Sequence, residues 1–239
     1  MEKPTCTCLP EDDNEQEEVF FHTEIQDTNC DGWKRLSDLV DEATHDEREE
    51  FAPFAGMKRE EAAQIVTLPS SIGKLQAVKR LVLYGSYLVR IPPEIGEMTC
   101  LEEFTPYTSW RLHWLPYEIT RCANLKTSTV STRKLYGNFK YRPPFPVLPV
   151  PAEVLTAITD TNLRLRPDPV VHCSHCGRPC MEPLIHQVWI SLLVATDVLP
   201  LLVNACSPEC VSVLPTPERN YVQVPHTGGL PLKQPAARW

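Results

Sequence analysis

An α/β fold is predicted for this chain: a short solenoid of stacked strand-and-turn units behind an N-terminal helical cap, followed by a small cysteine-rich region. Three observations predict it. The steps Leu68-Pro69, Ile91-Pro92 and Leu115-Pro116 recur at intervals of 23 and 24 residues. An amphipathic stripe in "CDGWKRLSDLVDEATHDEREEFAPF" precedes the first step. Two close cysteine pairs, in "VVHCSHCGRPC" and "VNACSPECVSVL", follow the last step with 29 residues between them.

The chain opens on an acidic segment. Its 239 residues carry a net charge of −8, yet residues 1–61 hold 19 Asp/Glu against six Lys/Arg, a balance of −13 that leaves +5 for the rest. Residues 1–29 are expected to form an acidic, largely disordered arm, because so polar a segment has little apolar surface to bury. The arm has no apolar core of the kind a signal peptide requires. The longest apolar run, "VWISLLVATDVLPLLV", is broken by Asp197 and Pro200, so no membrane-spanning helix is expected. A cytoplasmic protein is expected, in which ten cysteines read as metal ligands and free thiols rather than as a disulfide framework.

Residues 30–65 are expected as the helical cap, with Asp31 as N-cap and with Trp33, Leu36, Leu39, Val40 and Ala43 on one stripe. The periodic segment is placed at 66–142. Ile72, Ile95 and Ile119 recur four residues into each unit. Leu75, Met98 and Cys122 follow at offset seven, and Leu81, Phe104 and Ser128 at thirteen. A lone amphipathic helix repeats every 3.6 residues and could not hold such a step. The pattern resembles the leucine-rich repeat, with Ser86, Ser109 and Arg133 in the slot that usually holds asparagine. Pro106 predicts an irregular second strand. Over roughly residues 30–215 the chain resembles bacterial leucine-rich repeat proteins whose short arrays continue into a cysteine-bearing C-terminal region. That resemblance implies a fold and a binding role, with no reaction attached.

A proline-rich connector is expected at 143–169 and the cysteine region at 170–215. Cys173-x-x-Cys176 followed by Gly177 has the form of a zinc knuckle. In "CSPEC", Ser207 suits an N-cap, Pro208 the first helical position and Glu209 the positive helix end, which puts Cys210 in the first turn. Between the pairs, "QVWISLLVATDVLPLLVNA" reads as a hairpin of strands. Knuckle, hairpin and helix together make a treble-clef-like region, similar to the TRASH/FCS-type zinc fingers. Cys173, Cys176, Cys206 and Cys210 are the expected ligands of one structural Zn²⁺; Cys180, His172 and His175 are spare donors. Residues 216–239 are expected as a flexible tail.

No catalytic signature such as H-E-x-x-H, G-x-S-x-G or G-x-G-x-x-G is present, so no enzyme is expected. A ubiquitin ligase of the leucine-rich repeat type is the third-ranked alternative. Such ligases carry a catalytic Cys beside an acidic residue; Cys30-Asp31 has that form but belongs to the cap, and no room remains for the catalytic domain. The leading expectation is a non-catalytic module that binds a protein partner not identified by the sequence. Its expected face comprises Arg80, Val82, Tyr84, Glu103, Thr105, Tyr107, Thr127, Thr129 and Ser131. Three strands about 4.8 Å apart, each exposing about 13 Å, offer only about 200 Å². A standard interface takes about 800 Å² per partner. The face is therefore extended by Arg133, Tyr136, Phe139, Lys140, Tyr141 and Arg142. The same basic aromatic stretch, with the zinc region, motivates the second-ranked alternative of nucleic-acid binding, against which stands a pI near 5.4.

Overall fold

The protein is described here by a computed structural model covering residues 6, 8–9, 19–148, 171–180 and 185–237. The expected connector falls largely outside these residues, as does most of the expected acidic arm.

Helix α1 spans Asp31–His45. Its N-cap is Cys30, not Asp31: the Cys30 Sγ accepts from the Trp33 amide at 3.4 Å. Leu36, Leu39, Val40 and Ala43 form the buried stripe, and Gly32 takes the place expected for Trp33. Gly32 is needed there, since a Cβ at that position would lie 2.3 Å from the Glu61 carbonyl oxygen. Helix α2, Arg59–Ala62, is a single turn started by Glu61, whose carboxylate accepts from the Lys58 amide at 3.0 Å.

Four parallel strands form the first sheet: β1 (Glu50–Phe51), β2 (Arg80–Val82), β3 (Glu103–Thr105) and, after the two-residue strand β4 (Leu115–Pro116), β5 (Thr127–Ser128). The order is β1-β2-β3-β5, with Phe51 opposite Leu81, Leu81 opposite Phe104, and Phe104 opposite Ser128. Each return path runs through a 3-10 turn, at Ser70–Lys74, Pro93–Glu97 and Tyr117–Arg121. Pro69, Pro92 and Pro116 open these turns with φ of −68°, −74° and −71°, the angle their rings impose. Ile72, Ile95 and Ile119 point into the core from all three. β3 stops at Thr105 because Pro106 has no N–H to continue the ladder.

This architecture overturns the predicted short solenoid with a cap and a small finger. The chain forms two compact units, one built on residues 26–134 with the hairpin tip Leu193–Asp197, the other built on 135–192 and 198–239. The second is comparable in size to the first, not an appended finger. In the first, no repeat array extends. The edge strand β1 comes from outside the periodic segment. At the far edge, the amide of Ser128 donates to Thr196 Oγ1 at 3.0 Å, Thr196 Oγ1 donates back to the Ser128 carbonyl at 2.9 Å, and Ser128 Oγ donates to Asp197 at 2.7 Å. The periodicity thus encodes the register of three short strands. Side chains from a hairpin tip close the edge where another unit would have to stack. No family of repeats is needed to account for it.

The serine slot differs too. Ser86 and Ser109 share a hydrogen bond of 2.7 Å, and Ser109 Oγ donates to the Leu83 carbonyl at 3.0 Å. In the third position Ser131, not Arg133, acts, accepting from the Thr108 amide at 2.8 Å.

The second unit is built on the hairpin of β6 (His186–Val194) and β7 (Asp197–Ala205). Both strands are buried along most of their length, consistent with their near-continuous apolar sequences. Trp189, Tyr136, Phe145 and His226 form an aromatic cluster with ring centroids 4.7 to 6.1 Å apart for the contacting pairs. The Trp189 indole donates to the Pro146 carbonyl at 3.0 Å. The C-terminal stretch expected as a flexible tail is anchored instead: Trp189 and His226 exchange backbone bonds, Glu218 N donates to the Ser191 carbonyl at 2.8 Å, and Gln234 donates to the Pro143 carbonyl at 3.1 Å. Long-range backbone pairing of this kind leaves no periodic mark in sequence.

Candidate metal centre

The knuckle begins where the chain leaves Val171. Cys173 N donates to the Arg178 carbonyl at 2.8 Å, Gly177 N to the Cys173 carbonyl at 2.9 Å, and Cys180 N to the Val171 carbonyl at 2.6 Å. Gly177 sits at φ +73°, the left-handed region glycine enters without strain. The turn aims the Cys176 amide at Cys173 Sγ, 3.5 Å away. It is tied to β7 at one point, where Ser174 N donates to the Asn204 carbonyl at 2.7 Å and Asn204 N donates to Ser174 Oγ at 3.0 Å.

β7 then delivers Cys206, and helix α3 (Pro208–Ser212) delivers Cys210. Ser207 is the N-cap, its hydroxyl accepting from the Cys210 amide at 3.3 Å, with Pro208 opening the helix. The sulfurs of Cys173, Cys176, Cys206 and Cys210 lie within 4.8 Å of one another. The Cys176–Cys206 and Cys206–Cys210 separations are 3.7 and 3.6 Å. Four thiolates about 2.3 Å from a tetrahedral metal stand about 3.8 Å apart, so the spacing fits such a shell. Cys173 is 0% exposed and Cys210 is buried, whereas Cys176 faces solvent. The spare donors stay out of this group: His172 and His175 are exposed, and Cys180 is buried elsewhere.

Electrostatics are uneven. Arg178 Nε donates to Cys176 Sγ at 3.4 Å and pulls that thiol down to about 6. Its sulfur neighbours push Cys206 up to about 12, Cys210 first. Gathered thiols resist a second negative charge when no cation is among them. A divalent metal would supply the missing charge.

Among the other expected site residues, Arg80 pairs with Glu50 at 2.8 Å and with Glu103 at 3.2 Å, and Thr105 donates to Glu103 at 3.3 Å. Tyr84 and Tyr107 are 59% and 43% exposed with ring centroids 6.0 Å apart. Val82 is half-buried, Thr127 and Thr129 are exposed, and Ser131 is buried at its hydrogen bond. Tyr136 does not join an exposed patch: it is 1% exposed inside the aromatic cluster. Arg142 is held over the Tyr221 ring, its guanidinium donating to the carbonyls of Gly137 and Asn220. Arg133 and Phe139 remain exposed, while Lys140 and Tyr141 are half-buried. Cys30, the residue of the ligase alternative, is occupied in capping α1.

No family model matches the chain, and no curated protein matches it. The leucine-rich repeat resemblance thus has no support from relatives. Among the described residues, no helix is long and apolar enough to cross a membrane.

Proposed function

We propose that the chain is a non-catalytic protein-recognition module of the cytoplasm whose second unit is held by a structural Zn²⁺ on Cys173, Cys176, Cys206 and Cys210. The observation that carries this reading is the closed set of four sulfurs at tetrahedral spacing. Thiolates of this number and geometry favour zinc among common divalent ions. A fourth thiolate leaves no position for water or substrate, so the metal serves folding, not chemistry. Recognition is assigned to the paired rings of Tyr84 and Tyr107 beside the Arg80–Glu103 pair, since exposed aromatics next to ordered charges suit a protein interface. The burial of Tyr136 and the engagement of Arg142 weaken the nucleic-acid alternative.

Elemental analysis tests the metal: the C-terminal site should contribute one zinc per chain, lost in Cys206→Ser. A photo-crosslinking side chain at position 107 tests the recognition face in the native host and should capture a protein. Co-purifying nucleic acid, seen as a high 260/280 absorbance ratio, would overturn that part in favour of the alternative.

A further inference from the structure

The four sulfurs of the C-terminal cluster differ in access. Cys173 is 0% exposed and Cys210 is 7% exposed, Cys206 is half-buried, and Cys176 alone of the four faces solvent. Cys176 sits at the knuckle tip between His175 and Gly177, both exposed, and a Cβ built at Gly177 would meet nothing within 4 Å. A small solute can therefore reach this sulfur while the buried ones stay covered. Arg178 Nε donates to the Cys176 sulfur at 3.4 Å, which brings positive charge to the side from which a solute approaches. Cys206 Sγ, the next most accessible of the four, lies 3.7 Å away. Two hydrogen bonds that owe nothing to a metal keep this pair together. Ser174 N donates to the Asn204 carbonyl at 2.7 Å and Asn204 N donates to Ser174 Oγ at 3.0 Å, each residue two positions before its cysteine. An accessible thiolate with a cation beside it and a second thiol in reach is the arrangement that oxidants modify selectively.

We propose, resting on the zinc site proposed above, that Cys176 is an oxidation site for hydroperoxides with Cys206 as its resolving partner, so that the cluster gives up its metal under oxidation. With hydrogen peroxide, the Cys176 thiolate attacks one oxygen: an S–O bond forms, the O–O bond breaks, and the departing hydroxide takes a proton to become water. The Cys206 thiolate then attacks the sulfenic sulfur. An S–S bond forms, the S–O bond breaks, and a second hydroxide is protonated to water. Two electrons have passed from two thiolates to one peroxide. The sulfurs close from 3.7 Å to about 2.05 Å, a movement the open knuckle tip can absorb. Half the ligand set is then lost, while Cys173 and Cys210 stay reduced in the interior. A dithiol restores the pair by passing two electrons and two protons to the bond and becoming a disulfide itself.

The test uses the full chain loaded with zinc and hydrogen peroxide as the probe. Released zinc is followed with a chromophoric chelator, and disulfides are mapped by mass spectrometry after alkylation. Wild type should release the zinc that Cys206→Ser lacks as a Cys176–Cys206 linkage appears, and a dithiol followed by zinc should restore the count. Cys176→His puts an imidazole in the exposed position of a shell that zinc also accepts, and should slow release by about tenfold or more. Cys173→His, which replaces a covered sulfur, should release at the wild-type rate. Cys206→His should stop at a Cys176 sulfenic acid that dimedone traps. Wild type that keeps its zinc through peroxide, release with a different pair linked, or wild-type release from Cys176→His overturns the oxidation site alone. A chain without zinc before peroxide is added overturns the zinc reading, and the oxidation site with it. If the histidine variants do not hold zinc, the linkage map of wild type decides.

Discussion

The two compact units solve the same problem, short strands with many exposed ends, by different means. The first stacks aliphatic rows: Ile72, Ile95 and Ile119 in the turns, Leu75 and Met98 beside them, and Leu81 and Phe104 on the strands, all buried. Its polar periphery is made of exposed ion pairs, such as Lys79–Glu49 and Lys126–Glu102, which contribute little to stability. The second relies on a hairpin of two nine-residue strands, an aromatic cluster and a gathering of thiols. Burial that recurs along the chain can be replaced piece by piece. A single cluster of thiols or aromatic knot cannot.

If the cysteine cluster holds zinc as proposed, removing it should have the largest effect, because structural zinc binding contributes on the order of 10 kcal/mol at neutral pH. A strong chelator, or Cys173→Ser, should abolish amide hydrogen-exchange protection from the knuckle through α3. Protection of β2 and β3 should persist, and parallel loss in both places would remove the contrast between the units. Next, Phe104→Ala should cost about 3–5 kcal/mol in denaturant unfolding, as for other fully buried aromatics. A value below about 1 kcal/mol would mean that the aliphatic rows do not share a core.

His226 offers a smaller, pH-dependent effect confined to the second unit. Burial pulls its imidazole from 6.5 down to about 4. The unfolded chain therefore binds a proton between these values that the folded chain refuses. This contribution to stability is fully present above about pH 6.5 and is lost as pH falls toward 4, by up to about 3 kcal/mol. Acid unfolding of wild type against His226→Phe should show that slope diminished in the variant. Smallest is the recognition face: Tyr107→Ala should leave the melting temperature nearly unchanged yet weaken a captured partner more than tenfold, about 1.4 kcal/mol. Wild-type affinity in that variant would reduce the first unit to scaffold.

Local chemistry was readable in advance. Proline-opened turns, the knuckle glycine, the Ser207-Pro208 helix start and each of the two close cysteine pairs are set by residues a few positions apart. Cys30 as N-cap was less so, because a thiol accepting from a helix amide competes poorly with the aspartate beside it in any general ranking. The periodic segment misled at a higher level. Its register was legible, but a register does not state how many units stack or what closes the ends.

By itself, then, the sequence determined the turns, the strand register and the two close C-terminal cysteine pairs, since these depend on backbone angles and spacings that neighbouring residues impose. Only the tertiary structure decided that Thr196 ends the parallel sheet at Ser128 and that Tyr136 is a core ring. Such choices turn on which surfaces lose water together. Chain separation places no limit on that, and a linear pattern does not record it.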